Sequence, residues 1–483
     1  MRRAHAPRLL RTATDRLAER HPQYSARTGL TAGQKYGIAV LFAAVVLSLA
    51  LAPFTTLRVL AAVGTLFFGL VVSLRVVACI YLIVAAPARL FRRKPPRIAD
   101  DELPVYTLLV PLYREANMLP GLVEALNRID YPAARLDIKL ILEESDPGTL
   151  AAALRLQLPP RYDIVVVPDA EPRTKPKALN YALQLARGDF AVIYDAEDAP
   201  EPGQLRAAIA AFRAGPPNLA CVQARLAIYN ARENFLTRQF AIEYAALFDG
   251  LLPALERLRL PIPLGGTSNH FRMPALRWLG AWDAYNVTED ADIGMRLARS
   301  GYTCRMLDSV TLEEAVIGFR PWLRQRTRWL KGFMQTYFVH MRRPFRLWRQ
   351  LGTAGFLGFQ IVIGGMIFSA LAHPVFYALV AMEAASAGLL GRPETLLGLH
   401  IWLLALFNVA LGYTASMALA LIALKLRGLA LAPHILLMPV YWLSISLAAY
   451  RALPQLLGAP FRWEKTEHGL STMAPAWRRT RRG

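Results

Sequence analysis

The sequence predicts an α/β domain with a mostly parallel sheet, inserted between N-terminal and C-terminal transmembrane helices. Three observations support this fold class. The 483-residue chain is 54% hydrophobic and only 19% charged, which is apolar for a soluble enzyme. Long charge-free runs lie towards both ends of the chain. Between them, short apolar runs alternate with amphipathic stretches, as they do in repeated β-α-β units.

Basic residues are concentrated beside the apolar runs. The chain has 56 Lys and Arg against 35 Asp and Glu, a formal net charge of +21. Such a charge suits nucleic acid or an anionic membrane surface, but clusters next to apolar runs are typical of the cytoplasmic ends of membrane helices. The pattern predicts contact with the lipid bilayer and no nucleic-acid partner. The clusters fall at 2–35, 89–97, 320–349 and 451–482.

Cysteine usage and the N-terminal region indicate the compartment. Cys79, Cys221 and Cys304 are widely separated, which argues against a disulfide framework and against a zinc site. A catalytic region in a reducing compartment is therefore expected. The first apolar run starts near Gly37 with no small-residue cleavage site close behind it, so we expect no cleavable signal peptide.

Two membrane helices are predicted before the α/β domain, at 36–57 and 59–88, because a spanning helix needs about 20 apolar residues. Only Arg75 interrupts the second run. A charged residue inside a membrane helix is a candidate functional group. We favour the simpler interpretation that Arg75 snorkels to the membrane surface or pairs inside the helix bundle.

Short apolar runs rich in β-branched and aromatic residues predict the strands of the domain. Helix-like segments separate these runs, so the strands should be parallel and should present ligands at their carboxyl ends. The strands are predicted at 105–111, 138–142, 164–167 and 190–194, and the intervening helices at 119–128, 149–156 and 178–187.

A second membrane region is predicted after Arg349. Its charge-free runs are 350–382, 395–424 and 428–450. The first run is too long for one crossing and contains His373 and Pro374, so we divide it there. This division gives about four helices over 350–452 and six in the chain. Lys425 and Arg427 would then lie on the outer side, in mild conflict with the charge rule.

Acidic residues follow the fourth predicted strand as Asp195, Glu197 and Asp198. Carboxylates at the end of a strand repel one another unless a hard divalent cation sits among them, with phosphate oxygens completing its shell. The pattern alone is weak, because acidic turns are common. A solvated acidic turn is the alternative.

Polar residues also follow the first two strands, in the runs Y-R-E at 113–115 and E-E-S-D at 143–146, where a nucleoside could be held. The run K-P-K-A-L-N at 175–180 opens a helix. Lysines at a helix N-terminus suit a diphosphate, through their charge and the free backbone N–H groups. A basic helix cap is the alternative.

Two further motifs precede the second membrane region. T-E-D at 288–290 suits a capped helix start, with its acids in the first turn favoured by the helix dipole. Q-R-T-R-W at 325–329 lies on a basic amphipathic segment, where arginine offers a planar fork for phosphate and tryptophan a flat face for a sugar ring. A plain interfacial helix is also rich in these residues.

The ordered set of six motifs, flanked by membrane helices, resembles the membrane-integrated family 2 glycosyltransferases, the cellulose synthase-like group. The motifs span roughly residues 100–350, and each one alone is weak. The resemblance implies a Rossmann-like GT-A-type domain, a nucleotide diphosphate sugar (UDP-hexose) as donor, and Mg²⁺ or Mn²⁺ as cofactor.

The resemblance also implies roles for individual residues. Asp290 matches the general base, with Glu289 beside it, and Asp195 and Glu197 match the metal-binding acids. The remaining carried-over substrate-binding positions are Tyr113, Glu115, Glu143, Glu144, Lys175, Lys177, Asn180, Gln325, Arg328 and Trp329, with Ser268 and His270 as weaker candidates on the acceptor side.

The sequence departs from the family pattern at two places. The usual D-D-G after the second strand is E-E-S here, which leaves open whether Glu143 or Glu144 contacts the nucleoside. The second metal acid is Glu197 instead of aspartate, so Asp198 remains a competing ligand.

The resemblance implies an inverting enzyme that adds sugar to a growing polysaccharide at the inner, cytoplasmic membrane, with a cytosolic catalytic domain and with export of the product through partners not named by the sequence. A glycolipid synthase acting on a membrane lipid is the alternative. A non-catalytic transporter or scaffold is the alternative of another class, and it leaves Asp290 without a task.

These inferences divide the chain into six parts. The tail carries P-F-R-W-E-K-T-E-H-G at 460–469, which is either a substrate-gating segment or an interfacial anchor. The parts are a basic cytosolic segment (1–35), two transmembrane helices (36–89), the catalytic domain (100–318), interfacial helices (319–349), about four transmembrane helices (350–452) and a basic cytosolic tail (453–483).

Overall fold

The computed structural model of the chain describes residues 2–90, 97–386 and 395–473. Three helices precede the α/β domain, and five follow it. The first three are α1 (Arg2–Arg20), α2 (Ala32–Leu51) and α3 (Pro53–Leu90). Part of the basic cluster at 89–97 and the last ten residues of the predicted tail lie outside the described residues.

The first half of the domain consists of the predicted β-α-β units. All four predicted strands and all three predicted helices are present, with ends shifted by one to three residues, or by four at the end of α6. The elements are β1 (Tyr106–Leu112), α4 (Leu119–Asn127), β2 (Leu136–Glu143), α5 (Pro147–Arg155), β3 (Tyr162–Val167), α6 (Lys175–Leu183), β4 (Phe190–Ile193), β5 (Ala199–Pro200) and α7 (Gln204–Ala214).

The second half adds elements that the sequence did not predict individually. A π-helical turn, Ala246–Leu251, joins α8 to α9. The elements are β6 (Leu219–Ile228), α8 (Phe235–Ala245), α9 (Leu252–Arg257), β7 (Asn269–Arg272), α10 (Met273–Trp278), α11 (Glu289–Arg299) and β8 (Thr303–Glu313).

The eight strands form one mixed sheet in the order β3-β2-β1-β4-β7-β6-β8-β5. The first four in this order are parallel, whereas β7 runs antiparallel to both of its neighbours. The predicted mostly parallel α/β domain is therefore present, and the reversal at β7 marks the boundary between its two halves.

The first helix packs on the α/β domain. The side chain of Asn180 on α6 donates to the carbonyl oxygen of Ala13 at 2.9 Å, and Gln184 donates to that of Leu9 at 2.8 Å. Further along, Ser25 donates to Asp283 at 2.9 Å. The basic N-terminal segment is thus hydrogen-bonded to the surface of the domain.

The helices after the domain are α12 (Phe319–His340), α13 (Pro344–Phe359), α14 (Gly365–Ser386), α15 (Leu396–Leu426) and α16 (Met438–Gly458). A positive φ of 69° at Gly352 kinks α13, so its first two turns form a separate short helix. A π-helical turn, Gln360–Gly364, then joins α13 to α14.

Five helices among the described residues are long and apolar enough to cross a membrane, and they flank the domain. The predicted division at His373 and Pro374 is wrong, because α14 continues through Pro374. Proline removes one backbone donor, but packing and local adjustment can maintain a helix around it in a membrane protein. The five segments are Ala32–Leu51, Pro53–Ala85, Pro344–Ala378, Gly398–Leu426 and Ala432–Gly458.

Contacts with the catalytic domain define the orientation of the last helices. Arg427, at the end of α15, forms an ion pair with Asp249 and donates to the carbonyl oxygen of Leu226 at 2.8 Å. The expectation that Arg427 lies on the outer side is therefore wrong. The conflict with the charge rule disappears, because the basic end of α15 lies on the side of the catalytic domain.

Both ends of α16 lie on the side of the membrane helices that faces the α/β domain. Tyr441 near its start donates to Glu243 of α8 at 3.0 Å, and Ala459 just after its end accepts a hydrogen bond from Lys331 of α12 at 3.2 Å. Along its length, α16 exposes large apolar side chains at helical spacing, among them Val440, Leu447 and Leu457. This helix therefore lies alongside α12 with an apolar stripe on its free face.

Candidate active site

A cavity of about 300 Å³ lies where β1, β2 and β4 end, covered by the start of α11, by α12 and by the tail. Ten of the predicted site residues line it. They are Tyr113, Glu115, Glu143, Lys175, Asp195, Glu197, Glu289, Asp290, Gln325 and Arg328, and Trp329 adds an eleventh at one end.

The first side of the cavity lies at the ends of β1 and β2. Of the two candidate acids after β2, Glu143 lines the cavity and Glu144 does not, because the Glu144 carboxylate accepts the backbone N–H of Asp169 at 3.2 Å. Lys177 is fully buried and donates to Glu143 at 3.1 Å. Lys177 therefore orients Glu143 from behind and does not itself line the cavity.

Lys175 connects the first side of the cavity to the acidic turn. Its Nζ lies 2.5 Å from Asp195 Oδ1 and donates to the carbonyl oxygen of Gly266 at 2.9 Å. Burial alone would lower the pKa of Lys175, but the charges of Asp195 and Glu289 outweigh burial and raise it. A fixed cation thus stands among the acids, where a diphosphate group would also find a positive partner.

The acidic turn after β4 separates into two roles. Asp195 and Glu197 line the cavity, whereas Asp198 accepts the backbone N–H of Asp195 at 2.7 Å and the hydroxyl of Thr267. Asp198 closes the turn and does not compete for a place at the cavity wall. Burial, together with the charge of Asp195, raises the pKa of Glu197 to about 8.

Glu289 and Asp290 occupy the first turn of α11. A Cβ at Gly266 would lie 3.4 Å from Asp290 Oδ2, so the loop before β7 passes directly beside this carboxylate. Burial raises the pKa of Asp290 to about 6 and, together with the neighbouring Asp290, that of Glu289 to about 7. A carboxylate in this range can accept a proton near neutral pH.

Helix α12 presents the Q-R-T-R-W residues to the cavity. A Cβ at Gly332 would lie 2.5 Å from Thr288, so this glycine allows α12 to approach the start of α11. The guanidinium carbon of Arg328 lies 5.4 Å from the centroid of the Trp463 ring. The Nε of Arg328 is buried without a partner among the described residues. Such an unsatisfied donor is costly unless a ligand accepts from it.

Arg326 has a structural role although it belongs to the same motif. It forms an ion pair with Glu243 at 2.7 Å and lies over the rings of Phe240 and Trp329. Trp329 also packs edge-on against Phe240. Together with Tyr244, these rings make an aromatic wall at the end of the cavity nearest α8.

Besides Glu144 and Lys177, three more of the carried-over residues do not reach the cavity. Asn180 bonds the backbone of Ala13 and Trp282. Ser268 is fully buried and donates to Thr311 at 2.7 Å. His270 lies between Tyr106 and Gln204, and burial lowers its pKa to about 3. These side chains stabilise the fold around the site.

The tail supplies cavity residues that sequence reasoning did not assign. Trp463 packs against Tyr113 with ring centroids 6.2 Å apart. Lys465 lies 2.7 Å from Glu115, and His468 Nε2 lies 3.4 Å from Glu197. The mixed charges and aromatics of 460–469 were the signal in the sequence, but they could not indicate which residues reach the cavity.

Two consecutive acids at the end of β8 were also missed. Glu313 lines the cavity, and burial raises its pKa well above the usual range. Glu314 accepts the backbone N–H groups of Gly469, Leu470 and Ser471 at 2.9 to 3.0 Å. Glu314 therefore holds the tail over the cavity.

No group of three or more His, Cys, Asp or Glu side chains within the described parts of the chain has the arrangement of a metal site. Asp195 and Glu197 both line the cavity and are the carboxylates that could hold a divalent cation together with oxygens of a ligand. Two partly buried carboxylates of like charge at one wall suit a hard cation, which would relieve their repulsion.

Family comparisons cover most of the domain. The profile described as glycosyl transferase family group 2 matches residues 191–460, and the profile described as glycosyl transferase family 2 matches residues 107–274. The first of these matches covers more than half of the chain. Together they include every residue that lines the cavity before Trp463.

Curated relatives share about a quarter of the aligned residues. A probable glycosyltransferase YdaM of Bacillus subtilis is 26% identical over 54% of this chain and 63% of its own length. A probable glucomannan 4-beta-mannosyltransferase of Arabidopsis thaliana is 24% identical over 50% of this chain and 48% of its own length. A beta-monoglucosyldiacylglycerol synthase of Synechocystis is 27% identical over 56% of this chain and 58% of its own length. The chain thus spans about half to two thirds of the length of these relatives.

Proposed function

The chain belongs to glycosyl transferase family group 2, and on this premise we propose that it moves a hexose from a nucleotide diphosphate sugar to an acceptor hydroxyl at a membrane, with inversion at the anomeric carbon. The observation that carries the proposal is that Asp290 and Arg328 line the same cavity. One group can accept a proton, and the other can stabilise a departing anion.

The nucleotide lies on the side formed by the ends of β1 and β2. Tyr113 and Trp463 offer flat faces for a base, and Glu115 and Glu143 offer acceptors for nucleoside hydroxyl and N–H groups. The diphosphate lies between Lys175 and Arg328. The unpartnered Nε of Arg328 then gains an acceptor.

Asp195 and Glu197 would hold Mg²⁺ or Mn²⁺. When bound, the cation would neutralise charge that develops on the leaving diphosphate. The raised pKa of Glu197 supports this assignment, because a cation would favour the ionised form of a carboxyl that burial disfavours.

Asp290 acts as the general base. Its carboxylate takes the proton of the acceptor hydroxyl as that oxygen bonds to the anomeric carbon and the bond from this carbon to the diphosphate oxygen breaks. The acceptor oxygen and the leaving group lie on opposite faces of the sugar, so an α-linked donor gives a β-linked product. Arg328 donates to the diphosphate as its charge develops.

The aromatic wall of Trp329, Phe240 and Tyr244 positions the acceptor sugar by stacking. A growing polysaccharide is the first acceptor candidate, as the resemblance implied, and one relative is named as a glucomannan mannosyltransferase. A membrane lipid is the second. One argument for the lipid is that Phe240 and Tyr244 of the aromatic wall lie on α8, and α8 contacts the start of α16, the helix with the apolar stripe. A second is that another relative is named as a glucosyldiacylglycerol synthase.

Four helices cross the bilayer and α16 lies in its surface. The contacts of Arg427 and of both ends of α16 with the domain support this topology, since an even number of crossings returns the tail to the catalytic side. Positive charge on that side supports a cytosolic catalytic domain at the inner membrane.

The test is a donor screen with full-length protein in lipid nanodiscs, in which nucleotide release and product size are both read. Transfer from one nucleotide sugar, with loss of activity in chelator and recovery with Mg²⁺ or Mn²⁺, is expected. A long polymer indicates the polysaccharide acceptor, and a lipid-soluble glycoside indicates the lipid. No transfer from any donor in the screen would favour a non-catalytic scaffold.

Asp290→Asn should lower turnover by about 10³-fold and leave nucleotide affinity nearly unchanged, because general-base catalysis contributes about 10² to 10⁴. Asp101→Asn, at an exposed carboxylate outside the cavity, is the matched control. Near-normal turnover in the Asp290 variant would sink the assignment of the base.

A further inference from the structure

A second and larger cavity lies away from the active site, between the catalytic domain and the membrane helices. Its volume is about 950 Å³. Its walls come from α3, from α9 and the loop after it, from the start of β8, and from α13 near its kink. None of the residues assigned to sugar transfer lines this cavity.

The walls of this cavity are basic. Arg225, Arg257, Arg259 and Arg305 line it, against two acids. One of these acids, Asp308, forms an ion pair with Arg225. Arg225 also forms an ion pair with Asp249 at 3.0 Å, so its charge is balanced within the protein. Arg257, Arg259 and Arg305 then stand against Glu256 alone, so the cavity has a net positive charge and attracts an anion.

The cavity adjoins the surface of the bilayer. Helix α3 exposes Ile83 and Val84 on its free face, and Tyr81 and Ala85 of the same helix line the cavity. Exposed apolar side chains on a membrane helix face lipid, so the cavity opens where the lipid-facing part of α3 ends. Trp348 on the short first part of α13 is also exposed, as is typical of an interfacial anchor.

We propose that this cavity binds the phosphate headgroup of an anionic phospholipid from the leaflet that faces the catalytic domain. Guanidinium groups bind phosphate through paired N–H donors, and Arg257 and Arg259 lie on the exposed part of the wall, within reach of a headgroup. A volume in the range of small-ligand sites accommodates the headgroup and its glycerol.

The bound lipid would contact the helix that carries the catalytic acids. Gly294 and Ala298 of α11 line the cavity, and Glu289 and Asp290 occupy the first turn of the same helix. A Cβ at Gly294 would lie 2.3 Å from the carbonyl oxygen of Ile262, so α11 is packed closely against the cavity wall. Occupancy would therefore stabilise the position of α11.

The test measures lipid binding directly and needs no sugar donor, so it is independent of the proposed function. Full-length protein in detergent is titrated with phosphatidylglycerol or phosphatidylcholine, and the bound lipid is counted by native mass spectrometry. Wild-type protein should bind phosphatidylglycerol at least about tenfold more tightly than phosphatidylcholine, since each basic residue near anionic lipid contributes about 1 kcal/mol.

The variant R257Q/R259Q should lose this preference, and R135Q/R155Q, which removes the same charge from positions outside the cavity, should retain it. Arg305→Gln is a second, independent variant if the first does not fold. Unchanged preference in folded variants would overturn the site. Displacement of the lipid by millimolar inorganic phosphate would overturn the lipid as its ligand and indicate a soluble phosphate instead.

Discussion

The two halves of the catalytic domain are assembled differently, although they share one sheet and one cavity. In the first half, β1 to β4 alternate with helices, and each cavity residue follows the strand or begins the helix that positions it. We count α12 and the tail with the second half, because they complete its side of the cavity. There Asp290, Arg328 and His468 come from α11, α12 and the tail, which are distant in sequence and meet only in the folded chain.

This difference concerns how each half is stabilised. Parallel strands and their crossover helices form local contacts. The second half depends on close approaches such as Gly332 to Thr288 and on the clamp of Glu314 around the tail. Changes in the first half away from the cavity should therefore affect stability. Changes to the cavity residues of either half should affect nucleotide affinity or turnover, and changes around Glu314 should affect the position of the tail.

The largest expected effect is in the second half. Arg328→Ala should lower kcat/KM by about 10² to 10³-fold, because removing one preorganised donor to a developing charge costs about that much. Arg324→Ala, on the exposed face of the same helix, is the control. Activity is measured as nucleotide release from the identified donor. Equal losses in the two variants would mean that α12 acts through its overall charge.

The first half should respond to substitution through stability. Asn180→Ala removes hydrogen bonds to the carbonyl oxygens of Ala13 and Trp282 and leaves both buried, which costs about 2 kcal/mol. Thermal unfolding should shift downwards while the activity of the folded protein stays near that of the wild type. Asn218→Ala, which removes one exposed hydrogen bond to Gly301, should cost less. A loss of turnover without a loss of thermal stability would mean that Asn180 acts on the substrate.

The contrast between Lys175 and Asn180 also explains the limits of sequence interpretation. Both lie in one motif, but five residues on an α-helix turn a side chain by about 140°, so the two cannot face the same cavity. Asp198 is three residues from Asp195 and folds back to close the turn instead of facing the cavity. Motif spacing identified the segments correctly, and helix and turn geometry decided which members reach the site.

The strands also differ in how far the sequence predicted them. Strands β1 to β4 were predicted because their apolar runs are short and bounded by turn residues. The predictions missed β6 and β8, where polar side chains such as Gln223 and Asp308 interrupt the pattern. No local pattern could indicate that Trp463, Thr466 and His468 return to line the same cavity, since that contact is purely tertiary.

The pH dependence should report the base. Burial raises the pKa of Asp290 to about 6, and only its ionised form accepts a proton. The value of kcat/KM should therefore be constant above this pKa and fall about tenfold per pH unit below it. The measurement is a profile of kcat/KM between pH 5 and 8, with a pH-independent binding assay for the nucleotide as control. A profile that stays flat to pH 5 would contradict the assignment.

The smallest expected effect tests the clamp on the tail. Glu314→Gln keeps the shape of the side chain but weakens its hydrogen bonds to the three backbone N–H groups of the tail, because a carboxylate accepts about twice as strongly as an amide. The tail would then cover the nucleotide less often, which should raise KM for the donor a few-fold and change kcat little. Glu467→Gln, at an exposed position in the same tail, should leave both constants unchanged. If kcat falls and KM does not, Glu314 acts on the chemical step and its contact with the tail is secondary.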